Sequence, residues 1–270
     1  MPEGPEVHYF YHSVVATLKG QSLRDVAILS GRYIKHPIIL NFRELLESLP
    51  QKVIETGVCG KNIWILLENG MSLYFTHGLT GGWRGARERD GDGDGDKYNR
   101  IALVGSKDTI YFNDIRNFGT LHVATQKEDL EKKLATLGQD VMSMTAEGFH
   151  RFLDVATFQK KPIGLIFLDQ HYISGIGNYL RAEILWAAKV SPWKLVKDLG
   201  AAEKRALYVA TSRLVKYHYK WIQRHKDPHY PNRDKTFQVY MKDVDVDGRE
   251  VTHEPLGPQT IHWVKERQTI

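Results

Sequence analysis

Asp169-Gln170-His171-Tyr172-Ile173-Ser174-Gly175-Ile176-Gly177-Asn178-Tyr179 decides how the second half of this chain folds. Upstream, Pro162 opens a helical stretch from Lys161 to Gln170, proline being suited to a first helical turn. Downstream, Asn178 suits an N-cap, and Leu180, Ile184, Leu185 and Ala188 share one face of the helix that follows. Between them, Gly175 and Gly177 make a turn too glycine-rich to stay helical. Two glycines feeding a helix start aim N–H groups and the positive end of the dipole at a phosphate. A plain pair of packed helices is the alternative reading.

Outward from this turn the pattern stays helical. Leu207, Ala210, Leu214, Tyr217 and Trp221 predict the inward face of a long helix from Ala201 to about His225. Leu130, Leu134 and Leu137 mark a short helix stopped by Gly138, and Phe149–Val155 marks another. From Gln21 to about Arg116 the character is that of strands. Ile63–Leu67 and Ser72–Thr76 flank Asn69-Gly70, a hairpin signal. Ile101–Val104 and Thr109–Phe112 flank Gly105–Asp108 likewise. Short strands with regular turns predict a β-sandwich or barrel packed on a leading helix, with the change of character falling in 120–145. The run Asp90-Gly91-Asp92-Gly93-Asp94-Gly95-Asp96 mimics a calcium loop, but the position that needs a bidentate Glu is Ile101. It reads as an acidic surface loop.

Three loops of the strand-rich half carry residues suited to a nucleic acid. Gly60-Lys61-Asn62 offers a lysine that is either solvated or holds a phosphate. In His77-Gly78-Leu79-Thr80-Gly81-Gly82-Trp83 the glycines allow close backbone approach and present Leu79 at a tip. Asp114-Ile115-Arg116-Asn117-Phe118-Gly119 sets a cation two residues from an aromatic ring, which suits insertion into a base stack. A core position is the alternative for Phe118.

The chain starts Met1-Pro2-Glu3-Gly4-Pro5-Glu6-Val7. Removal of Met1 leaves a secondary amine on Pro2. An α-amino group titrates near ~7.7–8.0, well below a lysine, so it can attack an aldehyde carbon and form a Schiff base. Glu3 stands beside it as proton donor or acceptor. Val7, Phe10, Tyr11, Val14, Val15 and Leu18 predict a half-buried helix, with Pro5 in its first turn and Gly20 at its stop. That helix would hold the terminus still. An ordinary proline-rich end is the other reading.

The 270 residues suit one large or two modest domains. A 42% hydrophobic content is ordinary for a globular chain. No apolar run approaches the ~20 residues of a membrane span, and no charged-then-apolar leader precedes residue 20, so an intracellular protein, in nucleus or cytoplasm, is expected. The single Cys59 excludes an internal disulfide and a cysteine-rich zinc site. The balance of 37 Lys+Arg against 32 Asp+Glu, +5, is compatible with nucleic acid without establishing it. His225, His229 and His253 are too irregularly spaced for a metal site.

Taken in order, Met1–Val7, Gly60-Lys61, Asp114–Gly119 and Asp169–Glu183 resemble the formamidopyrimidine-DNA glycosylase/endonuclease VIII family of base-excision repair enzymes. The resemblance runs from end to end, and Ser174–Tyr179 is similar to that family's helix-two-turn-helix. It implies an α+β fold: a β-sandwich with a leading helix over 1–125, a helix-two-turn-helix domain over 126–232 and a β-hairpin finger over 233–270, with DNA in the cleft. It implies that Pro2 attacks the sugar C1′ of a damaged nucleotide while Glu3 handles protons. Lys61 and Asn178 match residues that grip phosphates. Leu79, Arg116 and Phe118 match the side chains that fill the hole left by the flipped base, Leu79 replacing a more common methionine.

The last forty residues depart from most relatives. Thr236–Met241 looks like the start of the C-terminal hairpin, Asp247-Gly248 supplies a turn and Thr260–Val264 reads as the returning strand. No cysteine follows Cys59, so the hairpin resembles the zincless finger of vertebrate and giant-virus endonuclease VIII-like proteins. Gln259 stands where the family has a phosphate-gripping arginine. The expected protein is a bifunctional glycosylase and AP lyase acting on damaged DNA, a monomer without metal, cofactor or membrane. Gly4 resembles the endonuclease VIII branch more than the guanine-lesion branch, which implies oxidised pyrimidines and hydantoins before 8-oxoguanine. The rival readings are a non-catalytic DNA binder on the same fold and an RNA-binding helix-two-turn-helix protein, neither of which needs the Pro2-Glu3 pair.

Overall fold

The computed structural model describes residues 2–35, 39–86, 97–226 and 236–268. The acidic run 90–96 and His229 lie outside them. The chain divides into two compact units, Met1–Pro2 with Glu6–Thr136, and Glu3–Pro5 with Leu137–Ile270.

The first unit follows the order α1 (Gly4–Ser13), β1 (Ser22–Ile28), α2 (Arg32–Lys35), α3 (Phe42–Ser48), β2 (Gln51–Cys59), β3 (Asn62–Leu67), β4 (Ser72–Thr76), β5 (Gly81–Gly85), β6 (Asn99–Gly105), β7 (Thr109–Asp114), β8 (Thr120–Ala124) and α4 (Lys127–Ala135). The strands run in the order β5-β7-β6-β1-β2-β3-β4-β8. Only two residue pairs, Ser22 with Lys52 and Leu23 with Gln51, join β1 to β2. This short seam lets the strands fold as two layers, the β-sandwich expected. Phe75 of one layer meets Trp83 and Phe112 of the other at ring distances of 4.7 and 5.7 Å. Phe10 of α1 is fully buried in the same core, a burial worth roughly 2–3 kcal/mol. The expected hairpins form: Asn62 pairs with Thr76 through Leu66 with Ser72, and Gly70 takes φ 85° in the connection. α1 stops at Ser13, before the expected Gly20, and a 3₁₀ turn over Val15–Leu18 continues the buried stripe.

The second unit contains β9 (Gln139–Asp140), α5 (Ala146–Leu153), α6 (Ile163–Ile166), β10 (Ile173–Ser174), α7 (Asn178–Ala188), α8 (Ala201–His225), β11 (Thr252–Leu256) and β12 (Gln259–Trp263). α7 is buried along nearly its whole length, and α8 packs on it. The helix expected from Pro162 to Gln170 is only four residues long, Ile163–Ile166, and within it Gly164 lies against Pro192 and Leu256 too closely for a side chain. α8 has the expected bounds, and Leu207, Ala210 and Leu214 face inward as expected, but in its last turns the buried face is displaced by one residue. His218 and Ile222 are fully buried while Tyr217 is 46% exposed and Trp221 half-buried. No helix among the described residues is long and apolar enough to cross a membrane.

The hairpin lies later than its sequence suggests. Thr236–Tyr240 forms no strand; its N–H groups at Gln238, Val239 and Tyr240 are instead gathered by the buried carboxylate of Glu183 at 2.8–3.1 Å. Asp247-Gly248 does turn the chain, closing a bridge between Val244 and Glu250. The hairpin itself joins β11 to β12 through Gly257-Pro258. Gly257 at φ 67° followed by a proline fits the II′ turn that two-residue hairpins favour.

Candidate nucleic-acid interface

Within the second unit the site is organised on the first turn of α7. Gly177, not Asn178, occupies the N-cap position and offers no capping side chain. The first N–H groups of a helix have no partner inside it. Glu3 supplies that partner: one carboxylate oxygen accepts from Gly177 at 2.7 Å and Leu180 at 3.2 Å, the other from Tyr179 at 2.9 Å. A carboxylate is the favoured charge at that end of the dipole. Gly4 adds an N–H bond to the carbonyl of Gly175 at 2.8 Å. Glu3 is buried and Pro2, its neighbour in the chain, is half-buried.

Asn178 is released from capping for another task. Its amide nitrogen donates to the Thr260 carbonyl at 2.9 Å, and its amide oxygen accepts from Arg181. Arginine has donors only, so the amide orientation is fixed. One N–H of the half-exposed Asn178 remains for an outside acceptor. Arg181 is fully buried and also donates to the carbonyls of Gly164, Leu256 and Thr260. Burial lowers its pKa to about 10 against the opposing pull of Glu3 and Tyr240, leaving it charged at neutral pH. Gln259, at the start of β12, adjoins Thr260, and its side-chain oxygen is buried without a partner among the described residues. Glu3, Asn178 and Gln259 are thus drawn to one place.

The first unit gathers the remaining residues. Lys61 lies in the β2–β3 turn, half-buried beside Gly60 at φ 56°. Its carbonyl is 3.1 Å from Nδ1 of the buried His77, whose Nε2 accepts the Trp83 indole N–H at 3.2 Å. Indole nitrogen only donates, so Nδ1 carries the ring proton and donates to Lys61. Burial drops the His77 pKa to about 4, which keeps the ring neutral. It stacks on Phe10 at 5.9 Å.

Two loops meet just beyond His77. A Cβ on Gly78 would lie 2.6 Å from the Phe118 carbonyl carbon, so glycine alone permits the approach. The fully buried Asp114 ties both loops, accepting the Thr80 hydroxyl with one oxygen and the Gly119 N–H at 2.7 Å with the other. Thr80 in turn accepts the Arg116 N–H at 2.9 Å. Arg100 closes the base by donating to the carbonyls of Asp114 and Ile115. Leu79 is half-buried, while Arg116 is exposed and lies 5.3 Å over the ring of Phe118. Phe118 is 50% exposed, which removes its core alternative.

Sequence reading missed Arg181, Glu183, Asp114 and His77. The signal available was an ionisable side chain at positions that the helical and strand patterns assign to the interior, since a buried polar or charged group needs a partner.

The N-terminal domain of formamidopyrimidine-DNA glycosylase matches residues 1–121, and the H2TH domain of formamidopyrimidine-DNA glycosylase matches residues 137–220. A formamidopyrimidine-DNA glycosylase of Thermus thermophilus is 30% identical over 213 residues, 78% of this chain and 73% of that one. An endonuclease 8 of Shigella boydii is 28% identical over 221 residues, 81% and 80% of the two chains. The crystal structure of the MutM (Fpg) protein from Thermus thermophilus superposes with a TM-score of 0.77 at 26% identity, covering 99% of this chain and 98% of that one. With matches over both domains and along the relatives' length, the chain belongs to the formamidopyrimidine-DNA glycosylase/endonuclease VIII family of DNA glycosylases with AP-lyase activity.

Proposed function

We propose that this glycosylase removes oxidised bases, pyrimidines and hydantoins before 8-oxoguanine, with the secondary amine of Pro2 as nucleophile once Met1 is removed. The observation that carries the reading is the anchoring of Glu3: three backbone N–H groups hold its carboxylate, and Pro2 is the next residue. A target sugar inside a duplex is out of reach of such a group, so the damaged nucleotide is turned out of the stack. The unprotonated Pro2 nitrogen attacks C1′ as the bond to the base breaks, and the base leaves as its anion and takes a proton from water. The Glu3 carboxylate takes the N–H proton from the alkylated Pro2 nitrogen and gives it to the sugar ring oxygen as the ring opens, and the nitrogen becomes an iminium. The positive nitrogen acidifies the C2′ hydrogens. Loss of one expels the 3′ phosphate, a second elimination expels the 5′ phosphate, and water releases the sugar remnant from Pro2.

In this reading Lys61 and Asn178 grip phosphates, Gln259 takes the third phosphate position, and Leu79, Arg116 and Phe118 occupy the vacated stack. Gly4 supports the pyrimidine preference through its likeness to the endonuclease VIII branch. The proposed enzyme works as a monomer, and it works without zinc, its hairpin of β11 and β12 being held by strand pairing and the buried Trp263.

The test is borohydride treatment with a duplex containing an abasic site. The expected result is a covalent protein–DNA adduct that is strongly reduced by Pro2→Gly or by one extra residue at the terminus. Undiminished trapping with a blocked terminus moves the nucleophile to a lysine. No trapping by the wild-type protein makes it a non-catalytic binder.

A further inference from the structure

The outward face of α8 is a strongly charged surface that the functional reading leaves unused. The helix holds six lysines and arginines against Glu203 alone, a net +5. That equals the formal net charge of the whole 270-residue chain, so everything outside α8 sums to zero. Glu203 is itself engaged, accepting from Lys194 and from the N–H of Gly200. Arg205, Arg213, Lys216, Lys220 and Arg224 are all exposed and recur every three to eight residues along one face. At ~1.5 Å per residue the row is ~29 Å long.

An ordinary solvated helix mixes its charges, and other helices of this protein do. α3 pairs Arg43 with Glu47, α4 pairs Lys127 with Glu131 and Lys132 with Asp129, and α5 pairs Arg151 with Glu147. Among the described residues none of the five cations on α8 has an ion pair or a side-chain hydrogen bond. Val209 and Tyr217, 52% and 46% exposed, lie along the same row. Like charges at this spacing repel and cost helix stability, so the row is maintained against local preference. Residues four apart on a helix are ~6 Å apart. Alternate phosphates of one DNA strand are separated by ~6.8 Å along the duplex axis, within the adjustment of long side chains.

We propose that this face of α8 docks the phosphate backbone of double-stranded DNA away from the lesion, so that the protein can hold a second stretch of duplex. The proposal rests on the DNA-repair reading for its choice of polyanion. The contact is electrostatic and indifferent to sequence, as backbone contacts are.

The experiment compares the wild-type protein with a variant carrying Arg213→Gln, Lys216→Gln, Lys220→Gln and Arg224→Gln. Glutamine keeps helix propensity, and thermal midpoints check folding. Affinity for an undamaged 30-base-pair duplex is measured against salt. Four phosphate contacts correspond to a slope of log affinity on log salt shallower by about 3.6 units in the variant. Base release from a short lesion duplex at saturating enzyme is expected to stay unchanged. In addition, wild-type protein trapped on a short abasic duplex is expected to capture a second, labelled undamaged duplex, and the trapped variant is not. An unchanged slope in a folded variant overturns the proposal and leaves the row to an acidic protein. Failure of the trapped wild-type protein to take up the second duplex also overturns it. The salt titration needs no chemistry at Pro2, so loss of the covalent adduct would refute the proposed reaction alone.

Discussion

The carboxylate of Glu3 accepts the N–H of Gly177 at 2.7 Å across 174 positions of sequence. A residue at the start of the chain therefore finishes a helix in its second half. Its two oxygens also take Tyr179 and Leu180, so the cap and the proposed proton carrier are one group.

Glu3→Ala should consequently cost stability as well as activity. It leaves three buried N–H groups at the helix start without an acceptor, and bonds to a charged group are worth about 1.5–3 kcal/mol net. The expected loss is about 2–4 kcal/mol, read as a shift of the urea midpoint, with Glu3→Gln losing less because one oxygen remains. An unchanged midpoint for Glu3→Ala would mean that water takes over the cap.

A second outcome concerns the loops around Asp114. Gly78→Ala puts a methyl group against the Phe118 backbone at a residue with φ 54°, and Asp114→Asn turns an amide donor toward Thr80 or Gly119. Both variants should lose about 1–3 kcal/mol and at least tenfold in affinity for abasic duplex, while binding of undamaged duplex changes little. Equal losses on both duplexes would show a general folding defect.

Acid should weaken each unit through a buried histidine. His77 and His218 are both lowered to about 4 by burial, whereas the unfolded chain titrates near ~6.5. Between these values the unfolded state binds protons that the folded state refuses, so stability falls as pH drops from 6.5 to 4 and levels off below. Each full shift corresponds to about 3 kcal/mol. Among the described residues neither ring nitrogen of His218 has a partner, so His218→Leu should gain about 1 kcal/mol at pH 7 and flatten the acid slope of its unit. Urea midpoints at pH 7, 5.5 and 4.5 decide it. A less stable variant with the wild-type slope would show that the ring is partnered.

Gln259 offers a test of the third phosphate position. Glutamine brings a neutral hydrogen bond, whereas arginine brings a charge and a planar fork. Gln259→Arg should tighten binding to abasic DNA at low salt and steepen the salt dependence by about one unit. Gln259→Ala should weaken binding with little change in slope. If the arginine variant alters neither, another residue of the hairpin region, such as Lys265 or Arg267, holds that phosphate.

Local patterns were readable where the structure is local. The β3–β4 and β6–β7 hairpins and the bounds of α8 follow from turn residues and spacing. The inward face of α8 follows its spacing through Leu214 and departs from it only at Tyr217 and Trp221, which keep the same helical spacing as the buried His218 and Ile222, one residue round. Hydrophobicity favoured the aromatics; packing buried the histidine. Asn178 has the chemistry of a cap, and nothing nearby in sequence announces that Glu3 takes the position instead. The finger begins later than its sequence suggests for a similar reason, since within the strand-like Thr236–Met241 the N–H groups of Gln238, Val239 and Tyr240 are taken by Glu183. Long-range acceptors of this kind leave no periodic trace.

The shared anchoring on Asp114 has a bearing on how this protein can be altered, in a lineage or at the bench. Residues 77–81 and 114–119 form a single cassette: one carboxylate serves both, and the backbone of one fills the space that a side chain on the other would need. Exchanging either loop alone with a relative imports a partner for an absent neighbour. Chimeras that transplant the two together keep the fit, and substitutions fixed in one loop select for matching ones in the other.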